Sequence, residues 1–145
     1  QNGVLLANYS QSPISGDTLH YYLGHARAFG QMESSIASAD TVVPTTDLPA
    51  GVLAITGGVI KNASVKAFAY NPVTNAMISS ISTSAGRTVI TDRTLRLGTS
   101  YATTQFTGGS SVSVVLVYNV ELTDAQILAN AQWLKNSFGM EWGLW

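Results

Sequence analysis

The stretch 111–139, SVSVVLVYNVELTDAQILANAQWLKNSFG, limits the fold of this chain more than any other. It opens as an apolar strand through Val112, Val114, Leu116 and Tyr118, turns, and closes as a short amphipathic helix. The helix carries its own punctuation. Thr123 stands at the N-cap and Gln126 at the third helical position, so each side chain can accept a hydrogen bond from the other's backbone N–H, as in a capping box. Leu122 and Ile127 occupy the two positions of a hydrophobic staple. Ile127, Ala131, Leu134 and Phe138 recur at helical spacing, and a single stripe of this kind lays a helix on a sheet edge or a sandwich end. Gly139 is placed as the left-handed residue after the last turn. These signals predict a helix over about 123–138, and no other convincing helix is legible in the 145 residues.

Everything before it reads as strands and turns. Residues 3–9 form a first strand, and 10–17, with Pro13, Gly16 and Asp17, a loop. In the next strand, 19–24, Leu19, Tyr21 and Leu23 share one face and His20 and Tyr22 the other. Residues 26–35 suit a further strand, and 37–50, holding Pro44 and Pro49, an irregular connection. Strands are expected at 51–56 and 63–70, the latter turning through Asn71-Pro72-Val73-Thr74-Asn75 into a hairpin partner at 76–82. Short strands at 87–90 and 94–98 and a loop at 99–110 complete the pattern. Roughly eight to ten short strands with regular turns predict an antiparallel two-sheet sandwich or a barrel, in one domain spanning 1–145.

Charged residues are only 10% of the chain, against roughly 25% in an average soluble protein. Aromatic and β-branched residues are plentiful, so low charge here does not mean disorder. The solvent face is instead built from hydroxyls and amides. Seven basic residues are scattered among eight acidic ones, without the clustered stripe that phosphate binding needs, so nucleic acid is not an expected partner. The absence of cysteine removes disulfides, thiolate metal sites and cysteine nucleophiles together. No apolar run is long enough to span a bilayer as a helix, so membrane insertion is not expected. The chain begins Gln1-Asn2-Gly3 and is expected to be a domain excised from a longer protein.

Three pieces carry a family resemblance. Thr94-Leu95-Arg96-Leu97-Gly98 resembles a short "pl.iG" strand, and Phe106-Thr107-Gly108 the "f.G" turn after it. The run 115–127, VLVYNVELTDAQI, is similar to a closing pattern "v.iYnraLt.aEi", with Val120 where Arg is common and Gln126 where Glu is common. On residues 94–139 the chain resembles the concanavalin A-like lectin/glucanase superfamily, of the laminin-G-like type. That resemblance implies an all-β, two-sheet antiparallel jelly-roll sandwich with one short C-terminal helix. It also implies a setting in phage tail fibres or spikes, or in secreted carbohydrate-active proteins. Fold alone does not fix function.

The chemistry is sparse. Glycoside hydrolysis needs two carboxylates facing one bond, yet no two acids lie at i, i+2 on a strand, so no catalytic residue and no enzyme activity is expected. Asp124 reads as a complement to the helix dipole. His20 and His25 lack metal-ligand spacing, and no metal is expected. For calcium, which the resemblance leaves open, Asp92, or Asp17 with Ser15, offers few oxygens, and no cofactor is expected. Sugar binding needs aromatic faces beside polar groups. Tyr101, in its loop, and Tyr22 and His20, on one strand face, are the candidate ligand residues, set against a plain packing role. Trp142, Leu144 and Trp145 end the chain in an apolar tail that either folds back under the helix or contacts another subunit.

The expected function is a non-catalytic module that attaches a phage tail fibre or spike to a host-surface glycan, on a virion or outside the cell, in a homotrimer by family analogy. Two alternatives remain open: a structural module that caps or trimerises a fibre, and an accessory carbohydrate-binding module of a secreted enzyme.

Overall fold

The computed structural model describes residues 3–11, 14–22, 25–31, 36–42, 54–83, 91–104, 112–139 and 141. The chain is mostly β, with antiparallel sheets and one C-terminal helix. Nine strands are described: β1 Gly3–Ala7, β2 Ser10–Gln11, β3 Ile14–Tyr22, β4 His25–Gln31, β5 Ile36–Val42, β6 Thr56–Ile60, β7 Ser64–Asn71, β8 Ala76–Thr83 and β9 Arg96–Leu97. The first sheet runs β5-β4-β3-β1-β9, with β2 folded onto β3, and the second runs β6-β7-β8. Strands β3, β4 and β5 contact β6, β7 and β8, so the sheets lie against each other.

Alternation along the strands builds the core. In β7, Val65, Ala67 and Ala69 are fully buried on one face, with Leu19 of β3 and Ile60 of β6 packed against Val65 and Ala67. Burying a valine of this kind stabilises by about 1.5–3 kcal/mol. The opposite face of β3 is buried too. Between Val4 and Leu6 the pairing of β1 with β3 shifts by a bulge, so Val4 and Ala7 fall opposite His20 and Thr18 on one face. Val4, Ala7 and Tyr9 pack there with Ala102. His20 is 1% exposed and Thr18 equally enclosed, so of the two faces of β3 weighed from sequence the one with His20 is packed inward.

The hairpin β7–β8 forms as its turn chemistry dictates. Asn71 and Ala76 pair across it, and the Asn71 Oδ1 accepts from the N–H groups of Val73 (2.9 Å) and Thr74 (3.1 Å). Asn75 takes the left-handed conformation at φ 54°. Other boundaries move. The loop expected at 10–17 holds β2 and the start of β3, because Gly16 at φ +95° carries the chain through a bend without leaving the sheet. Of the strand expected at 51–56, residues 51–53 lie outside the described residues; the described strand is 56–60, where Gly57 leaves room for the Phe68 ring opposite it. The connection expected at 37–50 contains β5, a strand supported by seven residues of pairing with β4 rather than by its own alternation. The strand expected at 87–90 lies outside the described residues.

Helix α1, Asp124–Phe138, begins at Thr123 with the capping box in place: Gln126 N–H donates to the Thr123 hydroxyl (3.3 Å) and Thr123 N–H to Gln126 Oε1 (2.8 Å). Ile127 and Ala131 are its buried residues. Gly139 is not left-handed. It keeps helical angles (φ −57°, ψ −43°) and donates to Lys135 O at 2.7 Å, so the last turn simply continues. Two cations tie α1 to the second sheet: Lys66 of β7 pairs with Asp124, and Lys135 donates to Asn75 Oδ1 (2.8 Å) and Pro72 O (3.2 Å).

The closing strand does not form. Among the described residues, 112–118 pair with neither sheet, and their side chains stand exposed, Leu116 at 46% and Val117 at 66%. An unbroken apolar run such as Val114-Val115-Leu116-Val117 suits a strand covered on both faces. Here the run lines a cavity, and its side chains remain partly exposed.

Candidate functional site

Two places in the fold are candidates. The first is that cavity, of about 500 Å³, between β1, β6, the run 112–122 and α1. Leu5, Leu6, Leu19, Phe68, Ile127 and Leu134 give it an apolar wall. Its ionic lining groups, Lys61 and Glu121, pair with each other at 2.6 Å. Its other polar lining groups include Tyr118 and Asn130, and Asn130 Nδ2 donates to the Tyr118 hydroxyl at 3.0 Å, so the polar groups of this mostly apolar space are largely engaged with one another.

The second is a cluster around Tyr101, built by the non-local pairing of β9 with β1. Leu97 pairs with Leu6 and Arg96 with Ala7, and Gly98 N–H donates to Leu5 O at 3.0 Å. The chain then turns, and Tyr101 N–H donates to Tyr9 O at 2.8 Å. Ser100 is buried within the turn, its hydroxyl accepting from Ala102 N–H at 3.1 Å, and Ala102 packs on the core. Tyr101 is therefore fixed on both sides, half-buried, on a rigid loop.

Around its ring stand two guanidiniums. Arg96 Cζ lies 3.5 Å from the ring centroid and Arg93 Cζ 5.9 Å, both within cation–π range. Thr94 Oγ1 and the phenol share a hydrogen bond of 3.1 Å. Arg93 donates to Ser15 Oγ of β3 at 2.5 Å, which fastens the 91–96 segment to the first sheet. Its Nε is buried and has no hydrogen-bond partner among the described residues, and Asp92 Oδ1 lies 3.7 Å from it. Asp92 itself is 80% exposed. Among the described residues at this loop, Arg93 and Arg96 stand beside the ring and Asp92 faces solvent.

The hydrogen bond with Thr94, assisted by the bond and charge of Arg96, holds the Tyr101 phenol below its ordinary value of 10.0, although partial desolvation opposes it. Tyr9 and Tyr70 go the other way, raised by burial. The signs lead to opposite linkages. A depressed phenol adds stability above pH 10.0 that is lost as pH falls through its folded value; the raised pair hold their contribution below pH 10.0 and lose it as pH rises. Titration followed at 295 nm is expected to show a tyrosine ionising below 10.0 that vanishes in Tyr101→Phe. Unchanged curves would contradict the contacts drawn here.

Of the residues expected from sequence, Tyr101 lies in this cluster and His20 is sealed inside the first sheet. The backbone of Tyr22 pairs with that of His25, but neither side chain is among those described. Trp142, Leu144 and Trp145 lie outside the described residues, as does Phe106-Thr107-Gly108. Sequence reasoning missed Arg93 and Arg96, and it weighed Ser15 only as a calcium oxygen, not as a partner of Arg93. The available signal was two arginines three residues apart, just ahead of the aromatic in the loop. Among the described residues no group of three His, Cys, Asp or Glu comes together, and no helix is long and apolar enough to cross a membrane. Glu121 and Asp124 are held in ion pairs with Lys61 and Lys66.

No protein-family model, characterised protein or solved structure matches the chain.

Proposed function

We propose that the chain is a non-catalytic saccharide-binding module of the jelly-roll lectin type, serving attachment of a phage fibre or spike to a host-surface glycan. The observation that carries the reading is the Tyr101 loop. It fixes an aromatic ring beside a hydroxyl and two guanidiniums, a set of donors and acceptors suited to the polar groups of a sugar. The rigidity of the loop favours binding, since little conformational freedom remains to be lost.

Glycan-array binding tests this. Saturable binding to at least one glycan is expected, weakened about tenfold or more in Tyr101→Ala, the equivalent of roughly 1.4 kcal/mol. Absence of glycan binding would sink the attachment reading.

A second reading has its own observation. The exposed apolar run 112–120, with Val117 at 66% and Val120 at 63%, suits a module that assembles with further copies in a fibre. A stable trimer in light scattering, paired with silence on the array, would favour it.

A further inference from the structure

Arg96 lies 3.5 Å over the Tyr101 ring, so one face of the ring is already occupied by a cation. A neutral pyranose stacks its apolar flank on an open aromatic face. Here the guanidiniums stand around that ring instead, and these planar forks of donors match a carboxylate or a sulfate. We propose that the Tyr101 loop takes an acidic saccharide, whose carboxylate or sulfate seats against Arg93 and Arg96 while Thr94 and Ser15 orient the arginines and the ring. The proposal rests on the saccharide-binding reading above and narrows it to a charge class.

Two further observations support an anion. The two guanidiniums gather around one ring, an arrangement of like charges that an anion between them would relieve. The Arg93 guanidinium is incompletely satisfied: its enclosed Nε makes no hydrogen bond among the described residues and has Asp92 Oδ1 at 3.7 Å, so its charge is only weakly compensated. The Asp92 carboxylate is turned largely to solvent.

The test is calorimetric titration of the protein with a uronate oligosaccharide, a sulfated oligosaccharide and a neutral one of equal length. Binding of at least one acidic ligand is expected, about tenfold tighter than the neutral one, and weakened by raising the salt from 0.05 to 0.5 M. The carboxylate and sulfate arms show which anion is preferred. Arg96→Gln and Arg93→Gln should each weaken acidic binding about tenfold, whereas Lys61→Gln, remote from the loop, should not. Arg96→Lys keeps the charge and guards against misreading a folding defect; it should retain part of the affinity and the salt dependence. Equal binding of neutral and acidic ligands, lost only in Tyr101→Ala, would overturn the charge assignment and leave the saccharide reading standing. Failure of every saccharide to bind would overturn both.

Discussion

Tyr70→Ala is expected to lower stability by about 3–5 kcal/mol, and the melting temperature by on the order of 10 °C. Tyr70 is 1% exposed, so removing its ring opens a cavity where neighbours cannot fully collapse. The side chain also stands at a junction. Its hydroxyl donates to Asn75 Oδ1 at 2.7 Å, the same oxygen that accepts from Lys135 at 2.8 Å, and the Lys135 ammonium lies 5.8 Å from the ring centroid. One residue thus supports the core, the β7–β8 turn and the attachment of α1. The loss should divide accordingly. Tyr70→Phe, which keeps the ring, is expected to cost only about 1 kcal/mol for the hydrogen bond. Urea unfolding checks both variants; a loss of similar size in each would mean that the hydroxyl, and not the buried ring, dominates.

Gly16→Ala is expected to cost about 2–4 kcal/mol, combining two mechanisms. Its φ of +95° is strained for any L side chain, and a Cβ there would sit 2.6 Å from Asn8 O and 2.8 Å from Asn8 Oδ1. Backbone cannot move aside cheaply, because Asn8 N–H donates to Asp17 O (3.0 Å) and Asp17 N–H to Asn8 Oδ1 (2.7 Å). The substitution reaches the candidate site as well. Ser15 is next in the chain and holds Arg93, so ligand binding should weaken in Gly16→Ala even where the protein remains folded. Asn8→Ala removes only the side-chain acceptor and should cost about 1–3 kcal/mol. Thermal unfolding of both variants would contradict this picture if Asn8→Ala proved the more damaging.

What could be read from the sequence divides by range. The helix was legible because its cap, its staple and its stripe are all local. The β7–β8 hairpin was legible for the same reason, through Asn71 and Asn75. The inward face of His20 was not, since it depends on a bulge in β1 that places Val4 opposite it. Strand β5 carries little alternation of its own and is a strand because β4 pairs with it. At the site, a loop tyrosine could be anticipated, but its two arginines could not. Pairing of Arg96 with Ala7 sets the guanidinium against the Tyr101 ring, and Ser15, 78 residues before Arg93, supplies the second tether. Run 112–118 misled for a physical reason: an apolar pattern signals that cover is wanted and does not say where it comes from.

Backbone amide chemical shifts, recorded while a uronate or sulfated oligosaccharide is added, test the central claim most directly. Saturable changes confined to residues 92–101 and the neighbouring Ser15 are expected, diminished in Arg96→Gln. Changes centred instead on 112–120 and α1, or none at all with either ligand, would contradict the assignment of the Tyr101 loop as the binding site.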